Sequence, residues 1–313
     1  MMMQGLSPRG EVRRKHGTNV RVDGQKPNRR RPCRTSGQLT AKSVSIKVRS
    51  VDSAIVHGKW LSLPQEICSV SLRRLRWVIL PIQNGGVARA LADRLGEDKI
   101  LGGFSNLGAT MVEPGVYEQK NAGHLLIGEL AGGVSERTER VARVLSRAVE
   151  VKISSNMIGA IWSKLLINCS VTTLGALCSQ TMRQYMETEA GKKVFRRTYE
   201  ETLSVALSIG TRLERLTVDP IPPGWSNNSG AGEDYDSWVK AVIDFYGDIK
   251  PSMLQDLERG RKTEIDFING YVVALGHASG VPVHMNATIT DLVHQIERGV
   301  LQPTRERMNE LAD

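Results

Sequence analysis

Lys164 interrupts an apolar helical pattern: Met157, Ile158, Ile161, Trp162, Leu165 and Leu166 surround it at helix spacing. Asn168 follows four residues later and Thr172 four after that. At about 100° per residue each four-residue step drifts by only ~40°, so an ammonium, a carboxamide and a hydroxyl share one side of a core helix. A lysine in that setting either snorkels to solvent or keeps its ammonium partly buried, with a lowered pKa, ready to deliver a proton near neutral pH. A second polar cluster lies in residues 250–270, where Pro251 suits the first position of a helix and Thr263 can cap another. Glu264 then falls in a first helical turn, where by itself it reads as an acid compensating the helix dipole.

These groups need elements that hold them. Residues 156–177 read as one long helix and 187–209 as a second amphipathic one, and a polar Pro/Gly loop occupies 218–235. Further helices are expected at 236–247, 251–259, 263–278 and 287–297, the last capped by Asn286. Upstream, the short apolar run 77–82 leads into Gln83-Asn84-Gly85-Gly86 and a helical segment 87–95 stopped by Gly96, the pattern of a buried parallel strand, a tight turn and a helix. Such a turn lies at a strand's carboxyl end, where open α/β sheets bind ligands. Short β-type runs follow at 99–101, 110–113, 116–119 and 124–128, then a helix over 136–149 with Ser135 as N-cap and a return to strand at 150–153. The layout predicts an α/β N-terminal part with an incomplete Rossmann-like parallel sheet, then an all-α C-terminal domain. Residues 1–70 are expected to be a basic, poorly structured or degenerate segment that allows short strands at 40–48 and 51–56. Residues 71–150 would complete the α/β part and 151–313 the helical domain.

Three stretches carry a family likeness: Gln83-Asn84-Gly85; Trp162-Ser163-Lys164-Leu165-Leu166-Ile167-Asn168; and Ser252-Met253-Leu254-Gln255-Asp256 followed by Thr263-Glu264-Ile265-Asp266. In this order and spacing they resemble the ketopantoate reductase (2-dehydropantoate 2-reductase) family. The segment from Gly103 to Gly115, with its Gly108-Ala109 turn, and Leu126-Ile127-Gly128-Glu129 extend the likeness. The resemblance implies an NADP-binding Rossmann domain, a helical domain of the 6-phosphogluconate dehydrogenase C-terminal type, and a cytoplasmic oxidoreductase of pantothenate biosynthesis. Its reaction would be NADPH-dependent reduction of a 2-keto acid, 2-dehydropantoate or an analogue, to the 2-hydroxy acid. Lys164 would be the general acid, with Glu264 as its catalytic companion. Asn168, Thr172, Ser252 and Asn84 would bind the substrate, and Asn84, Gly85, Ala109 and Glu264 would contact NADP(H). Thr172 stands where the family's row continues with a second asparagine, and another asparagine is replaced around Met182, so an unspecified 2-keto acid is preferred to 2-dehydropantoate. The family also allows a homodimer.

A Rossmann domain further needs G-x-G-x-x-G, whose glycines let backbone approach the pyrophosphate. None of the 30 glycines begins one; Gly230-x-Gly232 comes nearest, with Tyr235 at the third place. This raises the expectation of a chain truncated or misassembled at its front, or of a catalytically impaired reductase-like binding module with a basic N-terminal tail.

Composition narrows the remaining classes. The 313 residues suit two domains, and 40% apolar with 24% charged residues are globular values. The longest apolar run falls far short of the ~20 residues of a membrane helix, so no membrane partner is expected. Cys33, Cys68, Cys169 and Cys178 form no C-x-x-C pair and the six histidines show no ligand spacing, so neither a disulfide framework nor a metal site is expected. Irregular cysteines and the absence of an apolar leader at the start suit a cytoplasmic protein. Of the net charge of +9, residues 1–76 hold 17 basic against four acidic side chains, while the rest of the chain holds 25 against 29. Basicity confined to one end, without stacking aromatics or a recognisable motif, does not favour nucleic acid as a partner.

Overall fold

The computed structural model describes residues 77–107, 123–225 and 233–313 in full, and six further strands by their backbone alone. The strands are β1 (Glu11–Arg13), β2 (Asn19–Arg21), β3 (Val44–Val48), β4 (Ser53–His57), β5 (Val78–Pro81), β6 (Gly102–Ser105), β7 (Ala109–Glu113), β8 (Val116–Gln119), β9 (Leu125–Gly128) and β10 (Val151–Ile153). The helices are α1 (Val87–Leu95), α2 (Glu136–Leu145), α3 (Met157–Cys178), α4 (Met182–Tyr185), α5 (Glu189–Ser208), α6 (Glu233–Tyr246), α7 (Ser252–Leu257), α8 (Asn269–Ser279), α9 (His284–Glu297) and α10 (Arg307–Ala312).

The strands expected at 40–48 and 51–56 correspond to β3 and β4, an antiparallel pair, and β4 runs parallel to β5. β5 lies beside the entry to β6: Ile79 and Ile100 are parallel partners, and the Leu101 N–H donates to the Ile79 carbonyl at 2.9 Å. β6 pairs antiparallel with β9, and β9 parallel with β10. The α/β class stands, but the sheet is mixed, because β6 runs against β9. A separate sheet has the order β2-β1-β8-β7. The strand expected at 99–101 is instead a 3-10 turn, Glu97–Lys99, and the strand begins at Gly102. Gly102 and Gly103 read as a break, yet a Cβ on either would lie 2.6 Å from the Met157 or Leu80 side chain, so their bareness lets neighbours close on the strand.

Side-chain alternation along β9 divides the sheet's two faces. Leu125 and Ile127 join Leu80, Leu101 and the α2 residues Val141, Ala142 and Leu145 in one core. Leu126 joins Phe104, Leu130, the α1 residues Ala88 and Ala92, and Met157, Ala160 and Ile161 of α3 in another. From Trp162 onward α3 enters the third core, built by the remaining helices. α3 is long and apolar enough to cross a membrane, but 83% of its most apolar window is buried inside the protein, which makes it a core helix.

Several helix starts follow local sequence. Ser135 caps α2 by accepting the Thr138 N–H, and Asn156 caps α3 by accepting the Gly159 N–H at 3.3 Å. Two expectations need correction. α9 begins at His284 with Val283 as its cap, so Asn286 lies inside the first turn; Glu201 of α5 takes the N–H groups of Met285 and Asn286 at 2.8 and 2.9 Å in its place. The single helix expected at 263–278 is a 3-10 turn, Ile265–Phe267, and then α8, separated by Ile268 at φ −106°, ψ −98°. The Phe267 carbonyl there accepts the Gly86 N–H at 2.8 Å, so a tertiary contact ends the helix.

Candidate active site

The turn after β5 is the first component. Gly85 has φ +71°, a region that favours glycine, and a Cβ there would lie 1.7 Å from the Phe267 carbonyl oxygen. A Cβ on Gly86 would lie 2.4 Å from the Tyr271 ring, which in turn stacks at a tilt on Trp162 with centroids 5.9 Å apart. Two bare residues thus bring the strand end against the segment that carries Glu264. The Asn84 Nδ2 donates to Glu264 Oε2 at 3.0 Å across that junction. Thr263 does not open a longer helix, but its Oγ1 accepts the Ile265 N–H at 3.2 Å and fixes the turn around Glu264.

The second component is the end of β6. The Lys164 Nζ donates to the Ser105 carbonyl at 2.6 Å and to Asn106 Oδ1 at 3.2 Å, and lies 4.7 Å from the centre of the Phe104 ring. Both acceptors are neutral, so the ammonium is hydrogen-bonded without being neutralised. Burial lowers its pKa to about 8, against the nearby Glu264 carboxylate, which raises it. That value is the one wanted of a group that must be charged at rest and give up a proton on demand.

Along α3 from Gly159 to Cys178 every residue is buried except Lys164 and Thr172, which are partly exposed. Asn168 lies between them, 7% exposed, and its buried Nδ2 has no hydrogen-bond partner. An orphaned buried amide costs ~1–3 kcal/mol, which a ligand oxygen placed there would recover. The helix widens at this point into a π turn, Asn168–Thr172, a form frequent at functional sites.

Ser252 opens α7, with Pro251 preceding the helix as its cap and not as its first residue. Pro251 packs into the space left by Gly175, where a Cβ would lie 2.6 Å from its Cγ, and α7 lies along the π turn and the end of α3. Ser252 is exposed and makes no hydrogen bond to Lys164 or Asn168. Ala109 opens β7, and its side chain lies outside the described residues. The geometry therefore joins Asn84 to Glu264 directly and sets Lys164, Asn168 and Thr172 along one side of α3, with Asn168 buried between two partly exposed residues. A cavity of about 490 Å³ lies elsewhere, between α5, Trp225, Tyr235 and Pro282, and includes none of these residues.

Sequence reasoning missed Ser105 and Asn106, the direct partners of Lys164. Their signal was weak: a polar pair closing a short apolar run, opposite an interrupted helix, which becomes informative only once the two are seen to meet. Glu129, noted as part of a motif, has a structural task. It is buried and takes bonds from Arg137, Ser135 and Thr138, tying β9 to the start of α2.

Comparison with known proteins places this architecture. The model described as ketopantoate reductase PanE/ApbA matches residues 9–132, and that of the PanE/ApbA C terminal matches residues 156–297. The 2-dehydropantoate 2-reductase of Archaeoglobus fulgidus is 29% identical over 225 residues, 71% of this chain and 69% of that protein. That of Pyrococcus abyssi is 30% identical over 219 residues, 69% of this chain and 66% of that protein. The chain thus spans about two thirds of the length of these relatives. Among solved structures, a PanE/ApbA family ketopantoate reductase from Ralstonia eutropha superposes with a TM-score of 0.58 at 26% identity, covering 72% of this chain and 68% of the other. D-mandelate dehydrogenase, solved with NADH and anilino(oxo)acetate, gives a TM-score of 0.63 at 23% identity over 81% of this chain and 79% of its own, a likeness of fold alone. With both halves matched in order, and with an α/β part leading into a helical one, the chain belongs to the ketopantoate reductase family, a family of oxidoreductases.

Proposed function

We propose that this protein reduces the carbonyl of a 2-keto acid, 2-dehydropantoate or an analogue, to the 2-hydroxy acid with NADPH, residues 71–150 serving the cofactor and 151–313 the substrate. The observation that carries this reading is the buried Lys164 ammonium lying one helical turn from the orphaned amide of Asn168. A proton donor beside an unpaired hydrogen-bond donor suits a substrate that offers a carbonyl oxygen and a carboxylate. A carboxamide just after β5 and the carboxylate it bonds suit the nicotinamide ribose, so Asn84, Gly85, Ala109 and Glu264 would hold that end of the cofactor. Reduced nicotinamide, when bound, supplies the hydride.

Lys164 turns its Nζ from the Ser105 and Asn106 oxygens toward the substrate carbonyl oxygen. Its charge stabilises the oxyanion that develops, and its proton completes the hydroxyl, leaving a neutral amine that regains a proton from solvent. Asn168, Thr172 and Ser252 orient the acid so that the carbonyl faces this proton. Asn84 tethers Glu264, whose negative charge favours the protonated lysine before reaction.

NADPH fluorescence on titration with the protein tests the first step: enhancement is expected, and none at physiological cofactor concentration would overturn the proposal. Lys164→Ala should lower kcat about 100-fold or more with cofactor binding retained, as loss of a general acid does. Asn168→Ala should act mainly on KM for the keto acid. The missing glycine-rich loop favours a second reading, an impaired reductase-like binding module, and protein that binds keto acid but not NADPH would select it.

A further inference from the structure

The π turn that carries Asn168 is held by buried side chains outside the candidate active site. In a π turn a carbonyl accepts the N–H five residues on instead of four, and where this meets the flanking α-helix the buried carbonyls draw on other donors as well. Here three are met from outside the ladder or from its end. The Asn168 carbonyl accepts the Thr173 N–H, the Cys169 carbonyl lies 3.5 Å from the Asn269 Nδ2, and the Ser170 carbonyl accepts the Tyr185 hydroxyl at 2.8 Å.

Behind them runs a chain with one direction of donation. The Thr173 hydroxyl is 2.9 Å from Asn269 Oδ1, the Asn269 Nδ2 donates to Asn286 Oδ1 at 2.9 Å, and the Asn286 Nδ2 donates to Glu201 Oε2 at 3.0 Å. Thr173, Asn269 and Asn286 are all completely buried. The chain ends on a carboxylate that also takes two N–H groups at the start of α9, so each bond polarises the next and the array has little freedom to rearrange. It spans α3, α8, α9 and α5.

We propose that Thr173 and Asn269, anchored through Asn286 on Glu201, are positioning residues that hold the π turn open and thereby set the orientation of Asn168 toward the substrate. The inference rests on the reading of Asn168 as a substrate-binding residue. Lys164 lies before the turn and is bonded independently to the end of β6, so the array acts on substrate orientation and not on the proton donor.

The test uses the full chain with 2-dehydropantoate and NADPH. Thr173→Val removes the hydroxyl at nearly constant shape; Thr173→Ser keeps it. Thr173→Val should raise the keto-acid KM about tenfold, with kcat changed less than about threefold and the KM for NADPH unchanged, and Thr173→Ser should restore the parent value. Hydrogen exchange of the ligand-free protein provides a second readout: amides of residues 168–173 should exchange at least about tenfold faster in Thr173→Val, with those of 157–164 unchanged. A purely structural role would lower the melting temperature and the active fraction without separating KM from kcat. Unchanged KM and unchanged exchange in a folded Thr173→Val protein would overturn the proposal, and leave the reductase reading intact if Asn168→Ala still raises KM. An Asn168→Ala protein with parental KM would remove the role of Asn168 and this inference with it.

Discussion

Lys164 has two neutral oxygens within hydrogen-bond reach and one carboxylate nearby, and that balance has a measurable consequence. Its pKa, lowered to about 8, means that the protonated form needed for donation is present below that pH and lost above it. On the proposed mechanism kcat/KM should be level near neutrality and fall about tenfold per unit above pH 8, a limb read from a pH–rate profile. Glu264 raises the lysine's pKa, so Glu264→Gln should move the limb to lower pH; a shift to higher pH would refute the assignment of their coupling. The polar side of α3 was legible from spacing alone, because Lys164, Asn168 and Thr172 interrupt an apolar pattern. The acceptors at Ser105 and Asn106 were not, since they are 58 or more residues away in the chain and share no local pattern with α3.

Some elements here end by their own sequence and others where their neighbours make them end. α1 begins and stops as its sequence indicates, at Val87 and before Gly96, because a glycine terminus needs no tertiary help. The segment after Thr263 behaves otherwise, since the Gly86 N–H takes the Phe267 carbonyl and a new helix starts only at Asn269. Asn286 reads as a cap from its type, yet a carboxylate from α5 holds the α9 N–H groups and frees the asparagine for the buried chain. Gly85 is the point where such a junction is most exposed to mutation. Gly85→Ala would meet both an unfavourable positive φ and an oxygen at 1.7 Å that belongs to backbone. A loss of about 2 kcal/mol or more is expected in the free energy of unfolding, measured by denaturant titration, because the turn must withdraw from Phe267. An unchanged midpoint would show that the junction yields without cost.

Across the whole molecule α3 is shared between the sheet and the helical part. Met157 opens α3, is completely buried, and fills the spaces beside Gly102 and Gly128 while packing with Phe104, Leu126 and Leu130. Met157→Ala should cost about 2–5 kcal/mol through the cavity left behind, read as a lower denaturation midpoint. A midpoint within error of the parent would mean that the α/β part does not depend on this contact. The order of the parts, α/β then helical, was legible because hydrophobic period changes from continuous short runs to helical spacing near residue 150. So was the family likeness, since its motifs keep their order and spacing along the chain. Periodicity and residue type are local quantities, and they sufficed for most elements, though not for the 3-10 turns Glu97–Lys99 and Ile265–Phe267, and for the side of α3 that carries its polar groups. The antiparallel course of β6, the widened turn at Asn168, the break at Ile268 and the partners of Lys164 depend on which distant groups satisfy a given donor or acceptor. Burial and hydrogen-bond partners are settled only when the chain has folded, and at this site burial lowers the pKa of the lysine while the lack of a partner leaves the Asn168 amide open to a ligand.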